Sequence, residues 1–404
     1  EATPCPQKRP PTAPHPAARR PASIHSMFRR LALCLAGVAP AAAFHPTARL
    51  ASLTQSADGE GRVACEKAPG DTYVVAVMFA GRESRMRLSM AYLDDLVAHC
   101  QVDEVHLWNY ARTEEDLRFM EELPAKPAYQ VLQPSWHLST NESKVYKFRE
   151  AYEYYRRTGA GESHWVPKWE GAGPENTVIV KLDDDTVYLD VVKFPCFVGY
   201  VRAHKEKFLV SANVVNNPIA DFYRAQMLPD LLAKFPTLAV YPNTMVDDFT
   251  AWGSKWANGS VAFELHRTFT EQMREFGEQP RSQFAKAHGD CLVFAPPLRE
   301  VPGGQGRLPI NFIGVRWEAW DEVSNIVRTV PPSDPNMIDE IALTLFATMF
   351  PNHVECIYTP LLVSHLSFSS QLPEAEEALP LYSRVLADLQ AKDFSRAARH
   401  AACP

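Results

Sequence analysis

The chain has 404 residues, 46% hydrophobic and 22% charged, with a formal net charge of −7. This is an ordinary globular composition with ample material for a core, and the acidic balance argues against nucleic acid as the main partner. Length alone permits two or three domains, or one large α/β domain. The charge is uneven. Between residues 2 and 57 there is no Asp or Glu but there are seven Lys or Arg, and seven prolines fall within the first 21 residues. Such a stretch builds neither helix nor core. From Met27, "MFRRLALCLAGVAPAAAFHPTARL" has the layout of a secretory signal peptide: a basic pair (Arg29, Arg30), an apolar run from Leu31, and small residues at Ala41 and Ala43. The alternative is a short membrane anchor, but the run breaks at Pro40 and is too short to span a bilayer comfortably. Residues 1–70 are therefore expected to be a targeting segment, with the signal at about 27–43.

The ordered domain is expected over 71–375. "TYVVAVMFA" reads as a buried parallel strand. Met86, Met90, Leu93 and Val97 repeat at helical spacing; "EVHLWNY" is a second strand; "TEEDLRFMEEL" is a helix opened by a Thr cap; "AYQVLQP" is a third strand. Val145, Phe148, Tyr152 and Tyr155 mark another helix, followed by a loop over 158–176. A strand over 178–182 then runs into Asp183, Asp184 and Asp185. Strand–helix alternation is the pattern of a doubly wound α/β sheet. "KFLVSANVVNN" is a further strand; Leu265, Phe269, Met273 and Phe276 share a helix face; "LPINFIGVRWEAWDEV" combines a strand with Trp317 and Trp320. Ile338, Ala342, Leu345 and Met349 define a helix whose first turn carries Asp339 and Glu340; "LLVSHLSFSSQ" reads as a strand with His365 at its end. From 372 the chain reads as a surface helical tail, taken as a separate segment over 376–404.

Eight cysteines are present, and Cys5 and Cys34 would be lost on processing. The other six are scattered with no CxxC pair, which argues against a zinc site and leaves disulfide pairing open. Asn141 and Asn258 head Asn-x-Ser sequons, useful only in a lumenal compartment.

Parallel sheets bind ligands at the carboxyl ends of their strands, and the three aspartates stand at such an end. Like charges this close need a metal ion, a cationic partner or raised pKa values. Hard carboxylate oxygens suit Mg²⁺ or Mn²⁺, with Asp185 and Asp183 as ligands and Asp184 facing a ribose or a more remote position. Asp339 and Glu340 at a helix start stay ionised and able to accept a proton. The imidazole of His365 suits Mn²⁺. Trp317 and Trp320 are either acceptor-stacking or packing residues.

The order "VKLDDDTVYLD", "VSANVVNN", "GSVAFELHRTF", "LPINFIGVRWEAW", "MIDEIALTL" and "LLVSHLSFSSQ" resembles a glycosyltransferase family of the GT-A fold. It is similar to algal and bacterial proteins related to a chlorovirus sugar-transferring domain. The likeness covers roughly 72–375. It implies a Rossmann-like, mixed, mostly parallel sheet flanked by helices. It also implies a nucleotide-diphosphate-sugar donor, a Mn²⁺ or Mg²⁺ ion and a glycan or glycoconjugate acceptor. By the same resemblance Asp183, Asp185 and His365 hold the metal, Asp339–Glu340 supply the base of an inverting transfer, and Phe79, Ala80, Gly81 and Arg82 lie beside the nucleotide base. Lys144 reaches the diphosphate. "AAAFHP" is similar to the junction of plastid-targeting presequences in algae with secondary plastids, so the expected compartment is the secretory lumen or, alternatively, a plastid. No stable transmembrane span is expected.

Two rivals stand beside this reading. "DDDTV" also fits the nucleophile motif of haloacid-dehalogenase-type phosphatases, with Asp183 attacking phosphorus and Asp185 protonating the leaving group. The later Gly-Asp-x-x-x-Asp loop of that fold has one candidate, "HGDCLVFA", which lacks the second Asp. The other rival is a non-catalytic carbohydrate-binding protein that kept the fold.

Overall fold

A computed structural model describes residues 67–134, 147–157, 165–226, 229–236, 259–276, 289–294, 308–329, 339, 342–343, 353–367, 371 and 374–391. These all belong to one unit, Ser56–Pro404. Its centre is a mixed α/β sheet in the order β3-β2-β1-β4-β8-β6-β9-β5, with β7 paired to β9. The strands are β1 (Tyr73–Ala80), β2 (Glu104–Asn109), β3 (Tyr129–Leu132), β4 (Thr177–Asp183), β5 (Thr186–Leu189), β6 (Lys207–Val215), β7 (Cys291–Phe294), β8 (Phe312–Arg316) and β9 (Val354–His365). Strands β3, β2, β1 and β4 run parallel, as do β6 and β9, whereas β8 is antiparallel to both β4 and β6.

Strand β1 shows why both faces are covered. Val74, Ala76, Met78 and Ala80 enter one core, and Tyr73, Val75, Val77 and Phe79 enter the other, as a period of two requires. The first core is closed by α1 (Glu83–Ala98), α4 (Phe194–Ala203), α7 (Gly259–Phe276) and α9 (Leu379–Ala391), through Met86, Phe197, Phe269 and Tyr382. The second is closed by α3 (Lys147–Tyr154) and α8 (Trp320–Thr329), through Tyr152 and Val323. Helix α2 (Glu114–Glu121) begins as its sequence requires: the Asp116 amide donates to Thr113 Oγ1 at 3.1 Å. Helices α5 (Pro218–Ala225) and α6 (Pro229–Lys234) follow β6.

The chain steps from β1 outward to β2 and β3, then returns to lay β4 on the other side of β1. That reversal leaves a crevice at the carboxyl ends of β1 and β4, where Phe79 and Asp183 are register partners. Gly81 follows at once. A Cβ there would lie 2.2 Å from the Tyr110 carbonyl oxygen, so only glycine lets the chain turn this close to the end of β2.

Several elements differ from expectation. Strands β5 and β7 lie outside the expected strands, and β9 begins at Val354, ahead of the expected 361. Helix α9 buries Tyr382 and Val385, so this part of the expected surface tail is integral to the core. Of the helix expected around 338–349, only 339 and 342–343 lie among the described residues. Trp165 in the expected 158–176 loop is buried, with its ring 4.9 Å from that of Trp317. Cys291 and Cys356 form a disulfide joining β7 to β9, and Cys100 and Cys196 are also disulfide-bonded. No helix among the described residues is long and apolar enough to cross a membrane. Asn141 and Asn258 lie outside the described residues.

Candidate functional site

Strand β4 delivers Asp183 to the crevice, and Asp184–Asp185 form the turn into β5. Two elements pin that turn. In α1, Ser89 Oγ donates to the carbonyls of Asp184 (3.2 Å) and Thr186 (2.7 Å). In β9, His365 pairs with Thr186, and the Leu366 amide donates to the Asp185 carbonyl at 2.9 Å. Asp183, Asp185 and His365 thereby converge, each offering a ligand atom within 4.8 Å of the others.

The aspartates are neutralised unequally. Asp183 Oδ1 accepts from buried Lys181 at 2.6 Å and its Oδ2 from Asn311 at 2.9 Å. Asp184 is gripped by Arg82, whose Nε lies 3.0 and 3.1 Å from the two carboxylate oxygens. This takes the carboxylate that was expected to face a ribose. Asp185 Oδ2 faces Arg82 Nη2 (2.9 Å), Arg85 Nη1 (3.2 Å) and His365 Nε2 (3.2 Å). Burial alone would raise the Asp185 pKa, but Arg82, His365 and Arg85 hold its carboxyl well below the usual carboxylate range. Burial works against the charge of Arg82, yet Asp185 and Asp184 more than offset it and keep the guanidinium protonated.

Asp185 Oδ1, by contrast, is buried and accepts no hydrogen bond. An orphaned carboxylate oxygen costs on the order of 1–3 kcal/mol or more, and a cation relieves that cost. The donor set is two carboxylates and an imidazole, which suits Mn²⁺ better than a soft metal. The residues fit a small divalent cation.

Lys181 links this group to Asp339. Its Nζ lies 3.9 Å from Asp339 Oδ2, which also accepts from Tyr152 OH at 3.3 Å. The first half of the expected acidic pair thus stands one lysine away from Asp183. Glu340 and Lys144 lie outside the described residues. Of the four residues expected beside a nucleotide base, Phe79 and Ala80 are buried, and the Phe79 ring stacks 5.1 Å from Phe148. Gly81 shapes the turn, and only Arg82 brings a polar side chain to the aspartates. Trp317 and Trp320 are packing residues: both are buried, and their indole N–H groups donate to the Tyr155 and Tyr152 carbonyls, each at 2.8 Å.

Behind His365 lies a buried polar scaffold. His266 Nε2 donates to the Leu366 carbonyl at 2.7 Å, so its Nδ1 accepts from Tyr382 OH at 2.7 Å. Burial lowers the His266 pKa to about 4, keeping the ring neutral. Asn216, at φ 63°, donates to the same Leu366 carbonyl and pairs with Gln371.

Sequence reasoning missed Arg85, Lys181 and Asn311. Two of them left a trace. Lys181 is a charged residue inside an apolar strand, two positions before Asp183 and so on the same face. Arg82, Arg85 and Ser89 recur at i, i+3 and i+7, one face of a helix. Asn311 left none.

No family model and no curated protein matches the sequence. Among solved structures, the chain is similar to the galactosyltransferase LgtC in complex with donor and acceptor sugar analogues. The identity is 9% and the TM-score 0.31, over 77% of this chain and 95% of that one. An overlap that low carries no inference about this chain's site or chemistry.

Proposed function

We propose that this chain is a metal-dependent glycosyltransferase of GT-A type, moving a sugar from a nucleotide-diphosphate-sugar donor to a carbohydrate or glycoconjugate hydroxyl. The observation that carries the reading is the convergence of Asp183, Asp185 and His365 at the β1–β4 crevice, with the buried Asp185 Oδ1 accepting no hydrogen bond. Asp183, Asp185 and His365 hold a Mn²⁺ or Mg²⁺ ion, which supplies charge neutralisation for the departing nucleoside diphosphate. Asp339 accepts the proton of the acceptor hydroxyl, its carboxylate oriented by Tyr152 and by the Lys181 charge. A carboxylate base suits inversion.

The phosphatase alternative asks Asp185 to protonate a leaving group. Arg82, His365 and Arg85 hold that carboxyl ionised, which disfavours the role. The disulfides at Cys291–Cys356, Cys100 and Cys196 support an oxidising compartment such as the secretory lumen.

Donor hydrolysis across a panel of nucleotide sugars tests the reading. At least one donor turns over with Mn²⁺ and stops with chelator, while a generic aryl phosphate is untouched. Aryl phosphate turnover that ignores added nucleoside diphosphates contradicts it.

A further inference from the structure

The acidic turn carries more resident positive charge than a cation site needs. Asp184 and Asp185 share Arg82, and Asp185 shares Arg85, which also reaches Glu376 through Nε at 3.2 Å. The two arginines sit differently. Arg85 is sealed in, with 2% of its side chain exposed and a second carboxylate to hold it in place. Arg82 is 18% exposed, and both carboxylates it pairs with belong to the aspartate turn.

A divalent cation among Asp183, Asp185 and His365 must share Asp185 with the Arg82 guanidinium. Two unit charges a few ångströms apart interact by several kcal/mol at an effective dielectric near 20, and a divalent ion doubles the repulsion. Arg85 is sealed in and anchored at Glu376, which leaves it little room to move off Asp185. Arg82 has an exposed edge toward which to move. A guanidinium released beside a divalent ion is suited to bidentate binding of phosphate oxygens.

We propose that Arg82 is a displaceable counter-ion. It neutralises Asp184 and Asp185 itself, yields Asp185 to an entering divalent cation, and turns to a phosphate group of the nucleoside diphosphate. This rests on the metal-dependent reading above and adds to it a competition built into the site: Arg82 weakens metal binding in isolation and strengthens binding of the diphosphate. Metal and nucleotide are then taken up cooperatively, as linkage through a shared residue requires.

The test is Mn²⁺ binding to the chelator-treated full chain, read from the free-Mn²⁺ electron paramagnetic resonance signal, and then nucleoside diphosphate binding at saturating Mn²⁺. Arg82→Gln binds Mn²⁺ about tenfold more tightly than the unaltered chain and the diphosphate about tenfold more weakly. Arg82→Lys keeps the charge but not the fork, and lies between on both scales. It also serves if the Gln variant does not fold. If the unaltered chain binds Mn²⁺ and neither variant tightens it, the counter-ion role is wrong while the metal reading stands. Tighter Mn²⁺ with unchanged diphosphate binding overturns the transfer of Arg82 to phosphate. Failure of the unaltered chain to bind Mn²⁺ overturns both.

Discussion

Two buried carboxylate groups on one sheet are built in opposite ways. Glu104 opens β2. Its Oε1 accepts from Tyr73 OH at 2.6 Å and from the Lys168 amide at 3.2 Å, and its Oε2 faces His106 Nε2 at 2.9 Å. Both oxygens are satisfied by groups rooted in the core. Burial would raise its pKa, but the hydrogen bonds from His106 and Tyr73 bring it down to about 2. Asp185, at the carboxyl ends of the strands, crowds three donors on Oδ2 and leaves Oδ1 with none. Glu104 is closed on both oxygens, whereas Asp185 keeps one open where Asp183 and His365 converge, and its partners hold it ionised.

Substitution sharpens this contrast. Asp185→Asn lowers metal-dependent donor turnover by about a thousandfold, because it removes a direct ligand where even supporting residues cost 10–100-fold; steady-state hydrolysis measures it. Asp339→Asn lowers turnover by about a hundredfold or more through loss of the base, while equilibrium dialysis finds nucleoside diphosphate binding retained. Glu104→Gln does the converse. It costs about 2–3 kcal/mol of stability by unpairing a buried network, read from the urea midpoint, and leaves Mn²⁺ binding unchanged. An equal effect of Glu104→Gln on Mn²⁺ binding would break the division between the two regions.

The smallest effect is in the pH dependence of stability. The depressed Glu104 pKa adds stability that is present above the ordinary glutamate value of about 4.3. It is lost as pH falls toward about 2. His266, lowered to about 4 by burial, gives stability that is present above about 6.5 and lost as pH falls toward 4. Denaturant midpoints measured from pH 7 to 2 decline through both windows. Glu104→Gln shrinks the lower one, to which the depressed Asp185 also contributes, and keeps the upper.

The parallel half of the sheet was legible because its strands are buried on both faces. "TYVVAVMFA" is a near-continuous apolar run, "EVHLWNY" sets Val105, Leu107 and Trp108 among polar residues, and the intervening helix repeats Met86, Met90, Leu93 and Val97 at helical spacing. The acidic turn was legible as charge at a strand end, and His365 through the order of segments. What did not show was pairing between distant segments. Strand β7 acquires its place only by lying against β9, 65 residues on at the disulfide. Asp184 looked like a ligand-facing residue because nothing local marks Arg82 as its partner 102 positions away. Trp317 and Trp320 carry no local sign that their N–H groups are used by carbonyls of α3 and the residue after it. Lys181 was visible and was passed over, since a lysine in an apolar strand announces itself only when its counter-charges, Asp183 and Asp339, are brought to it.

The central claim is that Asp183, Asp185 and His365 form a divalent-cation site that recruits a nucleoside diphosphate. Isothermal titration of a nucleoside diphosphate panel into the unaltered chain and into Asp185→Asn, with and without Mn²⁺, tests it most directly. The account predicts that at least one nucleoside diphosphate binds the unaltered chain only when Mn²⁺ is present, and that Asp185→Asn loses that binding while remaining folded. Metal-dependent binding that survives in Asp185→Asn would contradict it.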